Sequence, residues 1–150
     1  MKTAEEVLQE RNKELICVTT ETTIYESIRK MIENKVGAVL VMGKKEIKGI
    51  WTERDYLLDT MKKGFNPYTA SVGEYMRTKM YYAKHDESIF QLMDKFVGLR
   101  IRHLPVKKEG ELIGLLSSGD IQKELLNEKD NELKKMEKRL EWDYYEDWKW

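Results

Sequence analysis

The chain has 150 residues, and its 27 Lys plus Arg balance 27 Asp plus Glu, so no overall field favours nucleic acid or an anionic membrane. A single cysteine, Cys17, excludes an internal disulfide and most structural zinc frameworks, and no apolar run approaches membrane-spanning length. The opening Met-Lys-Thr-Ala-Glu-Glu-Val-Leu lacks the apolar core of a signal peptide, and together these features predict a soluble, cytoplasmic protein.

In chain order, Ala4 to Leu15 reads as a helix that packs on a sheet or on another chain, within an N-terminal segment 1–14. A first repeat follows over 15–62. A short strand leads into a helix with Ile24, Ile28, Met31 and Ile32 on its core face and Thr23 placed as its cap. Apolar runs at Ala38 to Met42 and Glu46 to Thr52 flank Gly43-Lys44-Lys45 and predict a hairpin, and a second helix starts after Thr52. Residues 63–79, with Gly64 and Pro67, suit a linker.

The stretch from Cys17 to Leu58 then recurs at an offset of 65 with no gap. Ile24 maps to Ile89, Met31 to Phe96, Val41 to Val106, Gly49 to Gly114, Thr52 to Ser117 and Asp55 to Asp120. The second repeat occupies 80–126, with Ile89, Met93, Phe96 and Val97 on its helical face and Ser88 as its cap. Half of the chain would be marginal alone, so the two copies are expected to share a core. From Lys123 to Glu141 charge dominates and only Leu126, Leu133, Met136 and Leu140 form a sparse helical stripe, and the tail, 127–150, ends in Trp142, Tyr144, Tyr145, Trp148 and Trp150. Aromatics at that density predict packing on this chain, a second copy or a partner.

The duplicated Gly-x-[Thr/Ser]-x-x-Asp segments, at 49–55 and 114–120, admit two readings. In one, each hydroxyl and carboxylate forms a capping box that satisfies backbone amides at a helix start. In the other, the same helix start faces a ligand: its amides and dipole suit phosphate, the carboxylate accepts two hydrogen bonds from a ribose diol, and the glycine marks a close approach. Elsewhere, His85 reads as a surface residue, His103 as a strand-edge residue or a phosphate contact, and Cys17 as apolar filler. No nucleophile–base arrangement, glycine-rich phosphate loop or carboxylate cluster points to catalysis, and the expectation is a protein that is not an enzyme.

The ordered pieces Thr-Ile-Tyr-Glu-Ser-Ile-Arg-Lys-Met (23–31), Gly-Ala-Val-Leu-Val (37–41), Gly-Ile-Trp-Thr-Glu-Arg-Asp-Tyr-Leu (49–57), Arg-His-Leu-Pro-Val (102–106) and Gly-Leu-Leu-Ser-Ser-Gly-Asp-Ile (114–121) resemble the cystathionine-β-synthase (CBS) domain family over residues 15–126. The resemblance implies an α/β fold of two β-α-β-β-α repeats packed sheet to sheet about a pseudo-twofold, with flanking helical segments. It also implies two clefts for AMP, ADP or ATP, or for reduced NAD or S-adenosylmethionine. By the same resemblance Asp120 accepts the ribose, Ser117 contacts ribose or phosphate, Leu115 meets the adenine, Leu15 and Ile16 close the base, and Arg102 and His103 bind phosphate.

The second cleft would use Ile50, Thr52 and Asp55 with Met80 and Tyr81. Gly37 and Ala38 stand there in place of Arg102 and His103, so the Asp120 cleft is expected to be preferred. The implied function is regulatory: a homodimer that reports an adenosine compound to a regulated partner protein. The alternative is a ligand-free interaction or dimerisation module.

Overall fold

The computed structural model describes residues 1–133. It is a mixed α/β structure built on two three-stranded sheets, and chain-internal contacts divide it into two compact units. One unit comprises residues 14–80. The other comprises residues 1–13 together with the described residues from Tyr81 onward.

In the 14–80 unit, β1 (Cys17–Thr19) pairs parallel with β2 (Ala38–Met42), which pairs antiparallel with β3 (Ile47–Thr52). The helix joining β1 to β2 spans Ile24–Asn34; we number it α2, because a helix α1 (Ala4–Arg11) precedes it in the chain. Thr23 caps α2 by accepting from the Glu26 amide, and Lys35 ends it in the left-handed region at φ 52. A further helix, α3 (Glu53–Asp59), leaves β3 directly, and a single turn, α4 (Val72–Tyr75), closes the unit. Val18, Ile24, Met31, Val39, Val41, Trp51 and Val72 form its buried core.

The second unit repeats this plan in detail. β4 (Ala83–Lys84), α5 (Ile89–Leu99), β5 (His103–Lys108), β6 (Glu111–Ser117) and α6 (Ser118–Leu133) stand in the same order, with the same sheet topology. Ser88 caps α5, and Arg100 ends it at φ 53, as Lys35 ends α2. Even the register irregularities recur at the offset of 65, between Val41 and Met42 and between Val106 and Lys107. One departure has a local cause. Leu40 donates its amide to the Ile16 carbonyl, whereas the equivalent Pro105 has no N–H, and β4 is accordingly one residue shorter than β1.

Two expectations need correction. Ile28 and Met93 pack against the cores as expected, but Ile32 and Val97, assigned above to core faces, are 68% and 70% exposed. The N-terminal helix also stops at Arg11 rather than Leu15, because Asn12 takes the left-handed conformation at φ 47 and its amide caps the Leu8 carbonyl. The stretch 134–150, with Met136, Leu140 and the aromatic tail, lies outside the described residues.

The short helix in front of each repeat belongs to the compact unit of the other. Helix α1 precedes the first repeat, yet its Ala4 and Val7 are buried in the core of the second unit, and Thr3 bridges Ser88. Its Ala4 and Glu5 amides donate to the Glu87 and His85 carbonyls. Helix α4 precedes the second repeat, yet Val72 is buried in the 14–80 core and Ser71 bridges Thr23. The Val72 and Gly73 amides donate to Thr22 and Thr20. Thus residues 63–79 are more than a linker, since they complete the first sheet's unit.

Candidate functional site

Each strand-to-helix junction presents its hydroxyl and carboxylate as the sequence requires. In the 14–80 unit, Asp55 Oδ2 accepts from the Thr52 amide and hydroxyl, each at 3.0 Å, while Thr52 Oγ1 accepts from the Asp55 amide at 3.3 Å. In the second unit, Asp120 Oδ2 accepts from the Ser117 amide at 2.8 Å, and Ser117 Oγ accepts from the Asp120 amide at 3.1 Å. Both are capping boxes, so the local reading of these residues holds and it consumes one carboxylate oxygen in each.

What approaches the two glycines is protein. A Cβ on Gly49 would lie 2.7 Å from the Arg77 carbonyl oxygen and 2.7 Å from Met76 Sδ, and one on Gly114 would lie 2.6 Å from Leu8 Cδ2. The glycines therefore let the short helix of the exchanged segment close over β3 and β6. Their presence is explained by packing, without a ligand.

The same segments bring a cation to each carboxylate, which the sequence reading missed. Arg77, just past α4, is held by paired backbone hydrogen bonds with Ile50, and its Nε donates to Asp55 Oδ1 at 2.6 Å. Arg11, the last residue of α1, donates from Nη1 to Asp120 Oδ2 at 2.6 Å and from Nη2 to the Leu115 carbonyl at 2.9 Å. These charge-assisted bonds belong to the strong class. The absence of cations at Gly37 and Ala38 consequently does not leave Asp55 without one. An arginine near the end of each lead segment was the available signal, but it falls outside the gapless part of the repeat.

The two junctions differ in what they leave open. Both oxygens of Asp55 are engaged and its side chain is 6% exposed, whereas Asp120 is 19% exposed and its Oδ1 carries no hydrogen bond among the described residues. Among the described residues Arg77, 51% exposed, bonds through Nε only, whereas Arg11, 21% exposed, uses both terminal nitrogens and has a buried Nε without a partner.

Of the other residues singled out, His103 lies directly opposite Ser117 in the β5–β6 register, and Leu115 lies opposite Pro105. Arg102 is exposed, and its carbonyl accepts from the Ser118 amide, as Gly37 accepts from Glu53. Ile50 is buried on β3 opposite Leu40. Leu15 and Ile16, half-buried, lead into β1 of the 14–80 unit; Met80 ends the main stretch of that unit, and Tyr81, 41% exposed, begins the second stretch of the other. The structure thus brings Leu115, Ser117, Asp120, Arg102 and His103 into one unit, and Ile50, Thr52, Asp55 and Met80 into the other.

Outside these junctions, His85 Nδ1 lies 3.1 Å from Glu5 Oε2, and Lys108 Nζ donates to Glu5 Oε1 at 2.7 Å. The hydrogen bond from Lys108, followed by that from His85, holds the Glu5 carboxyl below its ordinary range. Burial pushes the Cys17 thiol up, which disfavours the thiolate and fits a filler role. Among the described residues no group of His, Cys, Asp and Glu could hold a metal ion, and no helix is long and apolar enough to cross a membrane.

Comparison with known proteins places this duplicated architecture. A family model described as the CBS domain matches twice, at residues 4–59 and 72–127. Each match begins on a lead helix, so the family unit in sequence includes the segment that the compact units exchange. The chain is 30% identical over 131 residues to the mitochondrial CBS domain-containing protein CBSX3 of Arabidopsis thaliana; the match covers 84% of this chain and 64% of that protein, just under two thirds of its length. It is 29% identical to the CBS-domain containing protein of Agrobacterium tumefaciens, whose crystal structure matches with a TM-score of 0.77 over 83% of this chain and 99% of that one.

A more distant structure shares the fold at 18% identity and a TM-score of 0.73, over 85% of this chain and 98% of its own. It is a CBS domain pair in complex with 5′-methylthioadenosine and S-adenosyl-L-methionine. With both of its repeats matched and their topology reproduced in two sheets, the chain belongs to the CBS domain family, as a tandem pair.

Proposed function

We propose that the chain is a regulatory module that binds an adenine nucleotide or related adenosyl compound and transmits occupancy to a partner or oligomer, without turning the ligand over. The observation that carries this reading is the duplicated hydroxyl–carboxylate junction with an arginine at each carboxylate. A ribose diol needs a carboxylate acceptor and a phosphate a charged donor, and each junction holds both groups, with a carboxylate oxygen left open at Asp120 among the described residues. The pair solved with two adenosyl compounds supports the ligand class. AMP, ADP and ATP are the first candidates, with reduced NAD and S-adenosylmethionine as the others. A cytoplasmic location and a homodimeric state belong to the same proposal.

Within it, the Asp120 junction is the preferred one. Arg102 and His103 favour it by charge, and the greater exposure of Asp120, whose Oδ1 carries no hydrogen bond among the described residues, supports the same preference independently. Calorimetry with AMP tests this on the full chain. Asp120→Ala is expected to weaken binding about tenfold or more, the effect of one charge-assisted hydrogen bond, and Asp55→Ala to weaken it less. Equal losses, or a larger loss from Asp55→Ala, contradict the assignment.

The competing reading, a ligand-free interaction module, draws on the completeness of the two capping boxes. It requires that no adenosyl compound bind at all.

A further inference from the structure

The guanidinium of Arg11 occupies two groups that a nucleoside would use. It holds the Asp120 carboxylate, assigned above to the ribose, and the Leu115 carbonyl, on the residue assigned to the adenine. This arrangement leaves the Arg11 Nε as the one buried side-chain polar atom without a hydrogen bond among the described residues. A buried donor left unpaired is costly, and such groups in an otherwise satisfied structure call for an explanation. The contact is therefore strong at its tip and unsatisfied at its stem, which are the properties of a group poised between two partners.

We propose that Arg11 is a ligand-displaced latch at the Asp120 junction. Ribose hydroxyls and the base compete with the guanidinium for Asp120 and the Leu115 carbonyl, and the released guanidinium, its Nε included, pairs with the ligand's phosphate. This inference rests on the nucleotide reading above and deepens it in two ways. First, it makes Arg11 a determinant of ligand class. A neutral nucleoside that displaces Arg11 strands a cation, whereas a phosphorylated one supplies its replacement partner, so the site favours a phosphate-bearing ligand.

Second, it names the reporting element. Arg11 is the last residue of α1, immediately before the left-handed Asn12. Its salt bridge fastens that end of the helix to α6, while at the other end Lys108 of β5 holds Glu5 and Glu124 of α6 holds Lys2, just ahead of the helix. Because ligand and latch compete for one carboxylate, occupancy must loosen the end of α1 by the same free energy with which the latch weakens binding.

Arg77 is not arranged in this way. Among the described residues it grips Asp55 through Nε alone and its side chain makes no hydrogen bond to a backbone carbonyl. The latch is thus specific to one junction.

The test compares wild type with Arg11→Ala and with Arg11→Met, which keeps the aliphatic stem, in calorimetric titrations with adenosine and with AMP. Amide exchange in residues 8–12 is followed with and without AMP. Adenosine affinity is expected to rise about tenfold or more in both variants, because a charge-assisted competitor has gone, and the preference for AMP over adenosine is expected to fall. In wild type AMP should accelerate exchange at residues 8–12, while in the variants exchange should be fast without ligand and indifferent to it. Wild-type binding of AMP combined with unchanged or weakened adenosine affinity in both variants overturns the latch alone. An absence of binding to all three proteins overturns the nucleotide reading and the latch with it.

Discussion

Trp51 marks a place where the two repeats diverge chemically. Its indole N–H donates to Asp59 Oδ2 at 2.9 Å, Asp59 is only 2% exposed, and Lys62 completes the carboxylate at 2.8 Å on the other oxygen. The equivalent position holds Leu116, also fully buried but apolar. Trp51→Phe is expected to destabilise the fold by about 1–3 kcal/mol, the cost of leaving part of a buried acceptor unpaired, as measured by chemical denaturation. A loss below about 0.5 kcal/mol would show that Lys62 and solvent suffice for Asp59. Asp59 was invisible in the sequence because its partner sits eight residues back on another element, whereas Thr52–Asp55 and Ser117–Asp120 are local pairs whose spacing alone fixes their contact. Arg11 and Arg77 were missed for the same reason as Asp59: the bonds run 109 and 22 residues along the chain, and periodicity carries no information about such partners.

At the scale of elements, the helices and hairpins were legible because caps, apolar spacing and turn residues act within a few residues, and duplication gave each feature a second witness. The exchange of lead helices was not. A helix with buried Ala4 and Val7 could close either sheet on grounds of pattern, and the choice is made by tertiary contacts, notably Leu8 over Gly114 and Glu5 between His85 and Lys108. These contacts make the docking of α1 dependent on pH. Glu5 has its pKa lowered in the folded state, so its contribution is complete above the ordinary carboxylate range and is lost as pH falls through the depressed value. Amide exchange in α1 is expected to accelerate below the carboxylate range in wild type and to lose that dependence in Glu5→Gln. An identical pH profile in both proteins would assign the effect to other groups.

For the whole molecule, the balanced charge and the two-fold repetition of one fold were evident from composition and offset, while the exposed apolar positions were not. Ile32 and Val97 occupy equivalent places on α2 and α5 and are 68% and 70% exposed, and an apolar pocket of about 120 Å³ beside Ile32, lined also by Ile28, Val36, Trp51 and Tyr56, opens on the same helix. Periodicity placed both on core faces because a helix buried on one stripe and apolar on the next reads as a single wide face. We propose that a second copy covers the exposed apolar surface of each of these helices in a homodimer, since a surface patch can be self-complementary about a twofold axis. Sedimentation equilibrium is expected to show a dimer at micromolar concentration that Ile32→Glu and Val97→Glu weaken; a monomer in wild type would remove the dimer and leave the ligand reading in place. That reading is the central claim, and equilibrium titration of the full chain with AMP, ADP, ATP, reduced NAD and S-adenosylmethionine tests it most directly. Saturable binding of at least one of them, weakened about tenfold or more by Asp120→Ala, is the predicted result, and no binding of any of the five would contradict it.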